Sequence, residues 1–532
     1  MRTAALALLL AGCGPAVLGI QVDLITRACP DATADRNPIA GVTKLRIGLS
    51  GDGLQTQTIT ADLSSGRAQI PNLSIGANRR LTVEALDGTR VRARADSGRF
   101  DALGPDDVHL RLFLRNVDAF TLTSDGDAKC THMSAPRAGH AMAVLPDGRV
   151  LISGGYSFDG GTPPKLVYHD DAEVFDPATG SFSLLVPGPA VRRAGHAALP
   201  VSGESGDGIL LAGGEGPTDS AGDVGAIKPF ELFAKGIWTE LTPTGTTPSR
   251  AHAASAVDLK TGAALVIGGQ AGPDKPGVAV FNTVTWFDPA TNSLKDAAMP
   301  LRAGLLTDAV AVARANLSGK TPLGGVVLVG GRDSNGNVLA QVSGLIWGPS
   351  PAGSLDFVDD ATFKAAPFKL PSPRAHHVAV RTIDDMVLTA GGVTALTVGA
   401  FDYSNATAAI TLIDPTGARV YDLPDPLSQA RGDSCAALLD EGSVLIAGGA
   451  WKDGSGIHSA RSVDLVAPDH SVRLARGPPD GSGDGLLQSG RHKAACLKLR
   501  DGSVLVSGGL QYSSGGVAVL DTAEIYMPSA AQ

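Results

Sequence analysis

The chain has 532 residues, 43% of them hydrophobic and 18% charged, a balance that excludes wholesale disorder. Gly 67 and Pro 34 together make up about a fifth of it, which suits many short strands and excludes both collagen-like repeats and a mainly helical chain. The formal net charge of −9 leaves no basic field, so nucleic acid is not expected as a partner.

In chain order the first element is a leader. Arg2 supplies a positive charge, Ala4 to Leu10 an apolar stretch too short to span a bilayer, and Leu10-Ala11-Gly12-Cys13 a cleavage site. Residues 1–12 therefore read as a signal peptide, and the Leu-Ala-Gly-Cys sequence resembles the bacterial lipobox. That resemblance implies that Cys13 is lipidated and becomes the first residue of the mature protein, with 13–19 as a linker. Lipid at that position is then the only membrane contact, and the body stays in water. Gly14 rather than Asp after the cysteine implies the outer membrane, with the body facing either the periplasm or the outside.

Residues 20–116 carry period-2 stretches at Lys44 to Ser50, Gln57 to Leu63, Arg80 to Leu86, Arg90 to Asp96 and Val108 to Leu114. With Gly, Asn and Asp between them, they predict a small β-sandwich acting as a spacer. From Cys13 to Cys130 the charges balance, 14 basic against 14 acidic, so the acidic excess lies further on and argues against docking there on anionic lipid. Besides Cys13 the cysteines are Cys29, Cys130, Cys435 and Cys496. An exported protein is in a disulfide-permissive compartment, and four cysteines allow three pairings. Cys29 and Cys130 bracket the first domain and are the candidate pair.

Residues 117–532 repeat. Seven apolar strands each end in a glycine pair: Gly154-Gly155, Gly213-Gly214, Gly268-Gly269, Gly330-Gly331, Gly391-Gly392, Gly448-Gly449 and Gly508-Gly509. The six steps from Gly154 to Gly508 cover 354 residues, a period of 59. Each repeat opens with an arginine: Arg137, Arg193, Arg250, Arg302, Arg374, Arg431 and Arg491. A strand, a turn such as Asp147-Gly148 or Asp501-Gly502, and the glycine-pair strand follow. After a variable loop a third strand runs into an Asp-Pro turn, as at Asp176-Pro177 and Asp288-Pro289, and a short fourth strand carries Phe182, Trp238 or Tyr421. Four antiparallel strands, seven times over, predict a β-propeller of seven blades. The glycine pair, the Asp-Pro turn and the outer-strand aromatic resemble the kelch repeat, over Arg137 to Met527. The expected fold is thus all-β: a seven-bladed kelch β-propeller preceded by a small β-sandwich. The seventh repeat stops after its third strand, at Ala523 to Pro528, so part of Phe120 to Met133 is expected to supply the missing outer strand.

In such blades the loop after each glycine pair and the start of each first strand share one face. The seven arginines are expected to ring its mouth, joined by Tyr156, Tyr403, Trp451 and Tyr512 from the loops. Guanidinium forks suit carboxylates, and aromatic rings stack on sugars or peptide side chains, so this is the predicted ligand face. Histidines follow several of these arginines, and repetition alone explains their spacing, so neither metal nor cofactor is assigned. Were a metal to bind, His140, His196 and His377 would be the converging candidates. The sandwich-then-propeller layout also resembles galactose oxidase, which implies copper held by two Tyr and two His, with one Tyr cross-linked to a Cys. The adjacent pair Tyr168-His169 departs from that pattern by lying in the first blade, and no phosphate loop, His-Glu-x-x-His or Gly-x-Ser-x-Gly motif is present. The expected function is a non-enzymatic, lipid-anchored envelope protein that binds a protein segment or a glycan. The alternatives are a galactose-oxidase-like copper enzyme and an envelope assembly scaffold.

Overall fold

The computed structural model describes residues 17–529, apart from stretches at 30–36, 64–72, 103–107, 219–222, 242–246, 315–323, 350–354, 364–367, 397–401 and 476–485 and some shorter ones. The lipobox and Cys13 lie outside the described residues, as does Arg302. The described structure is all-β, with no helix long and apolar enough to cross a membrane.

The N-terminal unit is a six-stranded sheet built on Lys44–Gly51, Leu54–Asp62, Gly76–Asp87 and Arg90–Asp96, all antiparallel. Against it packs a parallel pair, Ile20–Ile25 with Val108–Phe113. Alternation aims Leu45, Ile47, Leu49, Leu81, Val83, Ala93 and Ala95 inward, where Val22, Leu112 and Leu114 of the second layer meet them.

The rest of the chain forms seven four-stranded antiparallel sheets. Sheet 1 comprises Ala141–Val144, Val150–Ser153, Ala172–Asp176 and Ser181–Leu185. Sheets 2 to 6 repeat this order and begin at Ala197, Ala254, Val310, Val378 and Cys435. Sheet 7 takes Ala495–Lys498, Val504–Ser507 and Ala523–Met527 from the C-terminal end and its outer strand, Ala119–Leu122, from before sheet 1. Phe120 sits opposite Tyr526, their rings 5.1 Å apart, and Phe120 is fully buried.

Each second strand is apolar on both faces because each sheet is covered on both faces. In sheet 1, Leu151 joins a cluster with Ile209 and Leu211 of sheet 2, while Val150 and Ile152 join one with Leu505 and Ile525 of sheet 7. Five further clusters fill the gaps between the other consecutive sheets, so the series of interfaces returns to its start. Two disulfides reinforce the arrangement. Cys29–Cys130 (Cα–Cα 4.9 Å) ties the N-terminal unit to the segment leading into sheet 1, and Cys435–Cys496 (5.5 Å) ties the first strands of sheets 6 and 7.

All fourteen glycines of the pairs have positive φ, from 57° to 112°. At the first glycine of each pair a Cβ would meet the main-chain carbonyl that opens the next sheet: Arg193 at Gly154, Arg250 at Gly213 and so on to Arg137 at Gly508. The N–H of the second glycine donates to that same carbonyl at all seven junctions, from Gly155 to Arg193 O (2.8 Å) through Gly509 to Arg137 O (2.7 Å). At one junction the carbonyl belongs to Leu306, not Arg302, so the fourth repeat has no opening arginine and Leu306 holds its place.

Gly508→Ala is therefore expected to destabilise by about 2–5 kcal/mol, a left-handed penalty plus steric overlap with Arg137 O. Gly53→Ala, equally left-handed but with open space around its Cβ, should cost only about 1–2 kcal/mol. Denaturant unfolding of the two variants checks the difference.

Candidate functional site

The six described repeat arginines do not face a ligand. Arg137, Arg193, Arg250, Arg374, Arg431 and Arg491 are at most 2% exposed. Each reaches along its own sheet to the third strand, whose second residue is an acceptor. Arg137 binds Glu173 (2.7 Å), Arg193 Glu231 (2.8 Å), Arg431 Asp464 (2.6 Å) and Arg491 Glu524 (2.6 Å). Where that acceptor is threonine, a carboxylate stands behind it: Arg250 donates to Thr285, which donates to Asp296, and Arg374 donates to Thr411, which donates to Asp422. Burial, with no direct carboxylate partner, pulls Arg250 and Arg374 down to about 10. The predicted arginine ring is thus corrected to a set of internal struts, because each described guanidinium is buried inside its own sheet and held there by that sheet's acceptors.

The histidine candidates are corrected on similar grounds. His140 and His196 lie between neighbouring sheets, bonded to Ser507 Oγ (2.7 Å) and Ser153 Oγ (2.9 Å), and His377 packs on Gly330 of the preceding sheet. His140 and His196 line one cavity and His377 does not, and no group of three or more His, Cys, Asp or Glu among the described residues is arranged to hold a metal. All four described cysteines are in disulfides, so none is left to cross-link a tyrosine.

What faces the centre is the second residue after each opening position: Gly139, Gly195, His252, Asp308, His376, Asp433 and Lys493. All seven are left-handed, with φ from 51° to 61°. Neighbours in this set join by main-chain hydrogen bonds, as from Gly195 N to Gly139 O (2.7 Å), Asp308 N to His252 O (3.0 Å), Asp433 N to His376 O (2.8 Å) and Gly139 N to Lys493 O (3.1 Å). The residue after each glycine pair bridges to the residue just before this position, from Ala138 with Tyr156 to His492 with Leu510. The post-glycine loops and the starts of the first strands therefore do share one face.

Four of the five side chains of this ring form two pairs, and Lys493 acts on the second of them. His252 Nδ1 lies 3.0 Å from Asp308, whose other oxygen takes Arg332 Nε at 2.5 Å, and Arg332 also holds Asp274 at 2.8 Å. Glu215 sits 3.6 Å from His252 Nε2 and accepts a bond from Tyr168 Oη. His376 Nδ1 lies 3.0 Å from Asp433, which also accepts from Tyr403 Oη (2.6 Å). Burial would lower His252, but Asp308 and Glu215 outweigh it and push it up to about 10. The same contest raises His376 beside Asp433. Against their own burial, Asp308 and Asp433 are held well below the usual carboxylate range by these histidines, with Arg332 acting on the first and Lys493 on the second.

Two cavities share this ring. One, about 340 Å³, is lined by Gly139, His140, Tyr156, Gly195 and His196 together with the charged residues. The outer, about 310 Å³, adds an apolar wall of Leu166, Val224, Pro273, Val393 and Leu396, with Tyr168 and Tyr403. Of the four predicted aromatics, Tyr156 and Tyr403 reach these cavities. Trp451, stacked on His458, and Tyr512, stacked on His492, line neither. Sequence reasoning missed Glu215, Asp308, Asp433 and Lys493. Aligning the repeats on their arginines would have shown His252, His376, Asp433 and Lys493 at one position that is otherwise glycine, while Arg302 would have put Gly304 there in place of Asp308.

No family model matches the chain, and no curated protein does. Among solved structures, the chain is similar to one titled "Structure of YjhT", at 16% identity and a TM-score of 0.41, over 64% of this chain and 98% of that one.

Arg431→Ala, which strands the buried Asp464 carboxylate, is expected to cost about 3–5 kcal/mol. Arg374→Met, which takes a donor from the Thr411 hydroxyl and the Ala409 carbonyl but strands no carboxylate, should cost about 1–3 kcal/mol. Urea titrations of both variants compare them. A second expectation concerns pH. His252 gains its proton affinity on folding, so its contribution is complete below pH about 6.5 and lost as pH rises toward about 10. Buried His140 and His377, held down to about 3 by burial and the neighbouring arginines, act on the other side: their contribution is lost as pH falls below about 6.5. Stability should therefore fall in both directions, and His252→Gln should flatten the alkaline limb while leaving the acid limb unchanged in denaturant midpoints measured across pH.

Proposed function

We propose that this is a lipid-anchored bacterial envelope protein whose seven sheets are the blades of a kelch-type propeller, and that the mouth at its centre binds a protein segment or a glycan without chemical turnover. Support for the propeller reading comes from the glycine-pair junctions recurring at seven interfaces in series. Support for a binding role comes from the ring beneath the outer cavity. His252 and Arg332 share Asp308, with Glu215 and Asp274 as their second partners, while His376 and Lys493 act on Asp433. Such a floor offers donors and acceptors in fixed directions, each held by its neighbours. The apolar wall above it supplies the burial that holds a projecting side chain or one sugar unit.

The walls favour a ligand that enters from one side. Paired ribbons rise after the glycine pairs of sheets 6, 7, 1 and 2, at Ala450–Asp453, Leu510–Ser513, Tyr156–Phe158 and Glu215–Pro217 with their partner strands. The corresponding loops of sheets 3, 4 and 5 carry only isolated bridges among their described residues. The outer cavity draws most of its lining from sheets 1 to 3 and 5.

Screening the protein against envelope oligosaccharides and a peptide library tests the proposal. Leu166→Glu and Leu396→Glu change the wall and leave the charged floor in place. Together they should weaken a true ligand at least about tenfold, the roughly 1.4 kcal/mol of one lost apolar contact, with an unchanged melting temperature. A ligand indifferent to both, or one that is chemically converted, would sink the reading.

A further inference from the structure

A second cavity of different chemistry lies where the N-terminal unit meets sheets 1 and 7. It measures about 240 Å³ and is lined by Arg99, Arg111, Arg115, Arg149 and Arg500, by the carboxylates of Asp96, Asp147, Asp176 and Asp501, and by Phe100 and Phe113. Most of its charges are already matched. Asp96 is held by Arg80 and Arg94, both at 2.8 Å. Arg149 pairs with Asp147, Arg111 donates to Asp125 O (2.6 Å), and Arg500 donates to Pro146 O (2.5 Å).

Among the buried arginines of this lining Arg115 is the exception: it is 8% exposed, and no hydrogen bond contributes to its charge balance. It lies over the face of Phe113, with the guanidinium carbon 4.8 Å from the ring centre, a ring that Arg111 shares at 5.7 Å. Asp501 acts on it only through space, while its Oδ1 accepts from Ser503 N and Oγ. Burial lowers the Arg115 pKa to about 10, which still leaves it charged at neutral pH. None of its nitrogens is among the fully enclosed polar atoms that lack a partner, so the guanidinium faces the cavity while the rest of the side chain is buried, and the ring face offsets part of the desolvation cost. Arg115 lies on Arg115–Asn116, an edge strand bonded to Arg90–Asp96, so the rigid sheet keeps it at the cavity rather than letting it swing to water.

We propose that this junction is a binding site for an oxyanion of the phosphate class, whose charge is taken up by Arg115 with Arg99 at the rim. The planar fork of a guanidinium matches two oxygens of such a group. The volume falls below the roughly 300–1,000 Å³ of sites for larger ligands, so it suits a single ion or a single substituent. Arg99, Phe100 and Arg500 also line an adjoining cleft with Asn78, Arg80, Asp101 and Asp440, which gives the remainder of a phosphate ester a way out. The anion would sit between the two units and bridge them.

The experiment is thermal unfolding and calorimetry of the full chain in potassium phosphate against potassium chloride at equal ionic strength. Wild type should melt higher in phosphate. Arg115→Met keeps the apolar stem on Phe113 and removes the charge. It should melt at or above wild type in chloride and lose the phosphate increment, whereas a purely structural arginine would lower the melting temperature in both salts. Arg115→Lys, which keeps a charge without the fork, should bind phosphate at least tenfold more weakly. Glucose 6-phosphate and a short-chain phosphatidic acid distinguish sources: equal response to all three marks the free ion, and a stronger response to one ester marks a sugar or lipid substituent. Absence of any phosphate increment in wild type, or an undiminished one in Arg115→Met, overturns the proposal.

Discussion

The contact that organises the repeats is a main-chain one. The N–H of the second glycine in each pair donates to the carbonyl of the residue that opens the next repeat, at all seven junctions. For that bond to form, two chain segments must approach until a Cβ on the first glycine would overlap the same carbonyl. Only glycine satisfies both the left-handed backbone and the close approach. The arginine whose carbonyl is used then turns its guanidinium along its own sheet, often to the carbonyl of its own first glycine, as Arg491 does to Gly508 O (2.9 Å). One residue thus fixes the junction on either side of it, by its main chain toward the preceding sheet and by its side chain within its own.

The arginines show how a buried charge is held in more than one way. Four copies keep a carboxylate on the third strand, and two keep a threonine backed by an aspartate one strand further out. The second arrangement moves the countercharge toward water, which lowers the cost of burying it and leaves the arginine less strongly held. The fourth repeat dispenses with the pair, since Leu306 stands where the arginine would be and Ser343 where the acid would be. That repeat keeps its junction because the carbonyl, not the side chain, makes it.

Much of this arrangement was legible in the sequence. Glycine pairs at a period of 59 mark junctions because no other residue meets their steric demand, and a third strand with no successor implied that an earlier segment would complete sheet 7. The strand at Ala119–Leu122 is that segment. The face where loops and first strands meet followed from strand direction alone. The role of the arginines did not, because a recurrent arginine serves equally as a ligand contact or as an internal strut, and the choice depends on an acceptor some 35 residues away in the chain. In the fourth repeat the spacing points to Arg302 as the opening residue, whereas the junction carbonyl belongs to Leu306, four residues further on. The glutamate, aspartate and threonine partners were in view as strand residues, but a charged residue in a strand of otherwise apolar character reads as solvent-facing until its partner is placed.

The ring at the centre depends on the same junctions. Because the chain must turn sharply after each opening residue, the residue two positions on is left-handed and projects toward the axis whatever its type. Glycine is the easy choice there, and the chain uses it at Gly139 and Gly195. A histidine, aspartate or lysine in that conformation costs about 1–2 kcal/mol of local strain relative to glycine. Five such residues are therefore held against the local preference, and they are the five that form the charged floor. Ion pairing within the ring offsets part of the strain, but glycine at every position would remove it altogether, so stability alone does not account for the choice. The two glycines line the cavity of about 340 Å³ together with Tyr156 and the five charged positions. The repeat supplies seven equivalent positions, and the difference among their side chains turns a symmetric junction into a site with a direction.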